Sequence, residues 1–373
     1  MDLKVLVRKH GADACMGCGR CTYSCVAAQR HEGFSPRRVV EDALNGKKVQ
    51  ESAGLWACTA CGACSQFCNA EVDFPGLVRE LRAAGRKDNI PLPAHHGVLG
   101  RVAKLSASNA PETAGWVTPD LELDGGSDTL LFVGCTPYFD VVFNYFRQDL
   151  LEIPRSAVRL LNVMGIRPRL LASERCCGHD AHWSGDQALF ERLARANVEA
   201  IKASGIKEII AFCPECLVTW RDLYPRLVGD LGIRVRSVME VLQEGRSSGR
   251  LKLQQGEELF TYQDPCRLSK GKAIVEEPRQ ILRAIGRLKD MPRSGAMSAC
   301  CGTAGWVNCD HTAKKVQMER LNEAEGTGAD TLITACPKCL IHLSCADRHH
   351  GAEMPRRIKI DDIHVRAARA LEL

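Results

Sequence analysis

Two stretches of the chain carry the same order of apolar and polar positions. TLLFVGC (129–135) and ELFTYQDPC (258–266) are short apolar runs, rich in strand formers, that end on a cysteine. Each predicts a buried strand. Apolar residues at helical spacing follow, in IPRSAVRLLNVMG (153–165) and EEPRQILRAIG (276–286). A CCG triplet comes next, at 176–178 and again at 300–302. Longer helical periods follow, QALFERLARANVEAIKASG and HTAKKVQMERLNEAEG, then the strand-like runs EIIAFCPEC and TLITACPKC. IRVRSVMEVL and RIKIDDIHVRAARAL close the two copies. Strands alternating with helices predict parallel β–α units, with loops at the strand ends available to ligands. Residues 128–250 and 251–373 therefore read as two pseudo-symmetric α/β lobes.

The pattern upstream differs. Residues 1–86 form a small, cysteine-dense, helical unit. SPRRVVEDALNGKK predicts a helix capped by Ser35, opened by Pro36 and ended by Gly46. FPGLVRELRAAGRK predicts another, ended by Gly85. Residues 87–127, with Pro91, Pro93, Pro111 and Pro119, read as a connector without clear periodicity, and Trp116 predicts that it docks. The fold class expected is mixed, α+β and α/β: a dicluster ferredoxin-like domain, then two α/β lobes.

Composition narrows the function. At 373 residues, 45% hydrophobic, the chain can bury a core without disulfide staples. Its net charge of +5 is scattered rather than blocked, which predicts no nucleic-acid surface. No run approaches a membrane span, and the first fifteen residues hold no export signal. Many free thiols without such a signal predict a cytoplasmic protein, so a membrane quinone would be reached through another subunit.

Eighteen of the twenty cysteines fall into four groups. Cys15, Cys18, Cys21 and Cys25, and then Cys58, Cys61, Cys64 and Cys68, both read C-x2-C-x2-C-x3-C. Three such thiolates wrap one [4Fe-4S] cubane while the fourth ligates the neighbouring cluster. The expected sets are Cys15, Cys18, Cys21 and Cys68, and Cys58, Cys61, Cys64 and Cys25. Zinc sites pair two cysteines with a distant pair, which this spacing does not do. Val26 and Asn69 stand where a proline usually follows the run. Gly17, Gly19 and Gly62 leave backbone N–H groups free to face sulfur, and Trp56 and Phe67 are candidate shields.

The other two groups are Cys135, Cys176, Cys177, Cys213 and Cys216, and Cys266, Cys300, Cys301, Cys336 and Cys339. Five is one more than a cubane takes, and adjacent cysteines cannot easily point at two corners of one compact cube. From the residues alone this is an unusual polynuclear iron site or a redox-active thiol site. FVGCTPYFD, CCGHDAHWSGD, CPECLVTW, DPCRLSKGK, CCGTAGW and CPKC resemble the paired CCG-domain iron–sulfur family. The whole chain is similar to the heterodisulfide reductase-like members in which a two-cubane module is fused to the CCG pair. The resemblance implies that each five-cysteine set binds a noncubane [4Fe-4S] cluster and that a disulfide is cleaved between the two. It implies an oxidoreductase fed by a flavoprotein or iron–sulfur subunit, or by a quinone-linked membrane subunit. The alternative is a non-catalytic electron conduit in a larger complex. A metal-stabilised interaction protein is a third reading.

Candidate catalytic residues are Cys177, Cys301 and His179, the last as a proton donor to a thiolate product; His182 is a second candidate. Glu215 and Lys338, inside the two C-P-x-C motifs, either separate the two potentials or are solvated. Cys309 and Cys345 belong to no group and read as small buried hydrophobes. His95, His96, His349 and His350 read as exposed loop residues. No Gly-rich phosphate loop is present, so no flavin or nicotinamide site is expected here.

Overall fold

The apolar runs become strands because each is too short for a helix and buried on both faces, which suits a parallel sheet. β1 (Thr129–Phe132), β2 (Glu208–Ala211) and β3 (Arg234–Ser237) lie parallel in that order, with Leu130 opposite Ile209 and Ile209 opposite Val235. β4 (Leu259–Gln263), β5 (Arg287–Leu288), β6 (Thr331–Thr334) and β7 (Lys359–Asp362) form a second parallel sheet, ordered β5-β4-β6-β7. A parallel bridge from Leu130 to Arg169 stands where β5 stands in the other lobe. The computed structural model describes residues 3–49, 53–87, 97–108, 113–146, 148–270, 273–303, 305–306, 309–350 and 357–372.

The repeat packs against itself. Helix Glu152–Val163 lies on helix Ile363–Arg369, and helix Val238–Ser247 on helix Glu276–Ile285. These are equivalent pairs exchanged by a pseudo-twofold. The helices sit between the sheets, and one hydrophobic cluster takes Leu130, Leu161 and Leu242 from the first lobe with Phe260, Leu282 and Ile363 from the second. Truncating such a leucine to alanine costs about 2–5 kcal/mol.

The N-terminal unit has its own core, built on Val7, Val40, Leu55, Leu77 and Leu81. Ser35 caps helix Pro36–Leu44 by accepting from the Arg38 N–H. Helix Phe74–Lys87 runs through Gly85 instead of ending there. Its buried Arg82 ties the unit to the first lobe. That guanidinium donates to the carbonyls of Leu55 (3.0 Å), Cys58 and Trp183 (3.1 Å).

The connector holds more structure than its composition suggested. Val98–Ser108 is a helix whose Leu99, Ala103 and Ser106 are buried. Those positions are spaced i, i+4, i+7, a helical signal masked by the flanking Pro, Gly and His residues. Trp116 is buried in the main core. His95 and His96 lie outside the described residues, as does the side chain of His350; His349 is exposed.

Candidate metal centres

Each CCG triplet is a tight turn at the start of a short buried segment. Gly178 has φ +79° and Gly302 φ +96°, conformations that a Cβ disfavours. A Cβ would also stand 3.1 Å from Phe190 at the first turn and 3.3 Å from Val316 at the second. The turns make the same bond: Gly178 N–H donates to Cys176 Sγ at 3.4 Å, and Gly302 N–H to Cys300 Sγ at 3.3 Å. The adjacent cysteines stay in contact with each other, and each also meets a different partner. Cys176 meets Cys135 from the end of β1, while Cys177 meets Cys216. Likewise Cys300 meets Cys266 beyond β4, while Cys301 Sγ lies 3.2 Å from Cys339 Sγ.

The two sets touch each other and the N-terminal unit. Cys213 contacts Cys336 across the lobe interface. Cys61 contacts Cys300, wrapped by Val26, Ala299 and Val316. A continuous chain of thiols therefore runs from Cys61 through Cys300 and Cys301 to Cys339, Cys336, Cys213, Cys216, Cys177, Cys176 and Cys135. In the N-terminal unit Cys25 lies within electrostatic range of Cys58 and Cys61, and Cys21 of Cys15 and Cys68. The fourth cysteine of each run thus sits with the other run's set.

Burial raises the thiols of Cys58 and Cys64 above their ordinary range. A buried thiol gives up its proton more readily beside a cation, and a bound metal supplies one. The convergent sulfurs, and backbone N–H groups aimed at Cys25 (3.4 Å) and Cys58 (3.3 Å), fit iron–sulfur ligation. The chain is a carrier of multiple iron–sulfur clusters.

Between the two five-cysteine sets lies a buried charged set that joins the lobes. Lys338 Nζ from the second lobe contacts Glu215 Oε2 and Asp180 Oδ1 of the first. His179 Nδ1 lies 3.1 Å from Glu215 Oε2, and His179 Nε2 accepts from Arg267 Nε of the second lobe at 2.9 Å. That bond leaves the imidazole proton on Nδ1, facing Glu215. Burial lowers His179, yet Glu215 and Asp180 bring it above its ordinary value. Glu215 and Lys338 are thus buried and paired rather than solvated.

Several residues with a part in this site escaped the sequence reading. Ser106, in the connector helix, accepts the Cys176 N–H at 2.8 Å. Asn197 Nδ2 donates to Cys176 O at 3.1 Å, and the Tyr224 hydroxyl to Cys177 O at 2.9 Å. Glu174 accepts from Val133 N–H at 2.9 Å, and burial pushes its carboxyl up to about 8, with the Cys177 charge adding to the rise. None of these stands in a motif. Their signal was a polar residue within a buried period, such as Asn197 in the helix Gln187–Ser204.

Cys309 is half-buried and Cys345 buried, its sulfur accepting from Lys314 Nζ at 2.9 Å. Cys18 is the exposed member of the first run. It opens on a groove of about 1010 Å³ shared with Tyr23, Phe67 and Met297. Met16, Tyr23 and Met297 are among the most exposed large apolar residues of the molecule. Among the described residues, no helix is long and apolar enough to cross a membrane.

Comparison with known proteins agrees with this anatomy. A cysteine-rich CCG domain matches residues 129–221 and again 260–344, and a 4Fe-4S dicluster domain matches residues 11–72. The D-type subunit of the dihydromethanophenazine:CoB–CoM heterodisulfide reductase of Methanosarcina acetivorans is 27% identical, over 97% of this chain and 94% of its own length. The B-type subunit of the fumarate reductase (CoM/CoB) of Methanothermobacter marburgensis is 29% identical, over 83% of this chain and 60% of its own. The EtfAB:quinone oxidoreductase of Syntrophomonas wolfei is 24% identical, over 94% of this chain and 57% of its own. Among solved structures, a hypothetical protein from Helicobacter pylori shares the fold at a TM-score of 0.54 and 13% identity, covering 90% of this chain and 65% of that one.

Proposed function

We propose that this chain, which joins a 4Fe-4S dicluster domain to two cysteine-rich CCG domains and is related to the D-type subunit of heterodisulfide reductase, reduces a disulfide at the interface of its lobes. The chain is an iron–sulfur electron-transfer protein related to subunits of multi-subunit redox complexes. The observation that carries the finer reading is the chain of contacts from Cys61 to both five-cysteine sets, all ten cysteines being present. When bound, iron–sulfur clusters supply one-electron transfer at these sets, cubane in the N-terminal unit and noncubane in the lobes.

The rest is work for side chains. The exposed apolar rim around Cys18 receives a partner flavoprotein or iron–sulfur protein. Cys61 and Cys300 mark the passage to the second lobe, which is therefore reached before the first. Reducing a disulfide to two thiols takes two electrons and two protons. Lys338 Nζ, close to Cys135, and the protonated Glu174, close to Cys177, hold protons where thiolate products would form. His179 holds its own at Nδ1 and, through Arg267 and Glu215, keeps the lobes in register. Cys177 and Cys301 are the paired catalytic cysteines of this reading.

A second reading is favoured by burial. Cys177 and Cys301 are each only 3% exposed, with Phe139 and Trp306 packed beside Lys338 and Phe143 stacked on Trp306. A conduit that passes electrons to a partner needs no more access than that. The experiment that separates the two is a thiol titration of the anaerobic, oxidised protein followed by EPR, with disulfide turnover driven by a chemical reductant. A new paramagnetic signal, lost together with turnover in Cys177→Ser and Cys301→Ser, supports the enzyme. Silence across a broad thiol panel, without turnover of any disulfide, establishes the conduit. About sixteen irons per chain are expected if all four sites hold four. About eight would confine iron to the N-terminal unit and sink both lobe assignments.

A further inference from the structure

A cavity of about 670 Å³ lies at the seam between the N-terminal unit and the first lobe, within the range of small-molecule sites. One wall is apolar: Trp183, Phe190, Val218, Leu223 and Leu227. The facing wall is charged, and its carboxylates are already engaged. Glu80 Oε1 takes Lys9 Nζ at 2.8 Å, Arg79 at 2.7 Å and His10 Nε2 at 3.2 Å. Asp73 takes His10 Nδ1 and the Gly76 N–H, both at 3.0 Å. Asp222 is likewise not without a partner.

Two groups of the wall stay uncommitted. Arg226 is exposed and makes no hydrogen bond or ion pair among the described residues. His182 is 7% exposed, its ring held edge-on to Trp183 at 5.0 Å and Phe190 at 4.7 Å, and its buried Nδ1 has no partner. A buried polar atom left unpaired is costly. Arg79 and Arg226 are both near enough to His182 to act on its charge. Arg79 spends one donor on Glu80 and has others to offer.

We propose that this cavity binds a small organic monoanion with an apolar body, a medium-chain carboxylate. Its head group bonds to Arg226, Arg79 and His182 Nδ1, and its chain lies along Trp183, Phe190 and Leu223. His10 donates to a carboxylate from each ring nitrogen, so Lys9, His10, Arg79 and Arg226 stand against Asp73, Glu80 and Asp222, and the one positive charge left over suits one negative charge better than the two of a phosphate. Among the described residues no cysteine lines the cavity. The site is still tied to a cysteine turn, because the His182 N–H donates to Gly178 O at 2.9 Å.

The test is calorimetric titration of the anaerobic, iron-loaded full chain with octanoate, with octan-1-ol and inorganic phosphate as controls. One octanoate per chain is expected, with both controls at least about tenfold weaker. Arg226→Ala and His182→Phe should each weaken octanoate by about tenfold or more, at unchanged iron content. Arg226 is exposed, so Arg226→Glu gives a second variant that does not disturb the core, and it should abolish binding. The proposal is overturned by absence of octanoate binding at millimolar concentration, by octanol or phosphate binding as tightly, or by unchanged affinity in the Arg226 variants.

Discussion

Replacing Lys338 by Met removes the lysine of the buried set that joins the lobes. Its side chain is 3% exposed and that of Glu215 5%, so water cannot compensate either charge. In the variant Glu215 keeps His179 alone, at 3.1 Å. Leaving a buried ion without its partner costs about 3–5 kcal/mol. At about 2–4 °C per kcal/mol for a chain of this class, the melting temperature should fall by roughly 10 °C. Glu215→Gln alone should cost a similar amount, by stranding Lys338 beside Asp180. The double variant should cost less than the sum by about 2 kcal/mol or more, because the remaining Asp180 is partly exposed. Burial raises Glu215, but His179 and Lys338 hold it well below its ordinary range. Burial lowers Lys338, but Asp180 and Glu215 raise it well above its own. The pair's stabilisation is therefore complete between the ordinary Glu and Lys ranges. It is lost as pH falls through the depressed Glu215 value or rises through the raised Lys338 value. The assay is thermal unfolding by circular dichroism at neutral pH, on anaerobic preparations of equal iron content. A Lys338→Met protein that melts within about 1 °C of the wild type, or single losses that simply add, would refute the clamp.

Three further outcomes follow from the same structure. Cys25→Ser should perturb the cluster held by Cys58, Cys61 and Cys64, and site-resolved spectroscopy showing damage only at the Cys15 set would break the crossed pairing. Cys309→Ser and Cys345→Ser should leave iron content and the EPR spectrum unchanged, since neither touches a cysteine set; loss of a whole cluster in either would show the grouping to be wrong. Burial, with Arg79 nearby, pulls His182 down to about 2, so only the unfolded chain takes up its proton below about pH 6.5. Stability from this residue is present above that pH and lost on acidification. His182→Phe should flatten denaturant-measured stability between pH 6.5 and 5 by up to about 1.4 kcal/mol per unit, and an unaltered slope would contradict a neutral buried imidazole.

The readable parts of the chain were those with local grammar. The apolar runs, the CCG triplets and the capped helix at Pro36 each lie within a dozen residues, and all appear as expected. Helix Phe74–Lys87 passed its predicted stop because packing of Leu77 and Leu81 outweighs the roughly 1 kcal/mol cost of an internal glycine. The connector helix was hidden for the opposite reason: three buried positions among prolines and glycines make a weak period.

The sequence by itself determined the iron–sulfur chemistry of the two N-terminal cysteine runs, from ligand spacing, and the repeat and two-lobe plan, from strand–helix alternation, because both patterns are written along the chain. What only the tertiary structure decided is how the parts meet. Cys61 against Cys300, Cys213 against Cys336, and Lys338 between Glu215 and Asp180 are contacts between residues over a hundred positions apart. No periodicity encodes them. They arise when two equivalent helix pairs bury their apolar faces across a pseudo-twofold, which turns two sets of strand-end loops toward one another. In the sequence the charges of Glu215 and Lys338 read either as separating the two potentials or as solvated. The burial of those loops is what makes them a pair.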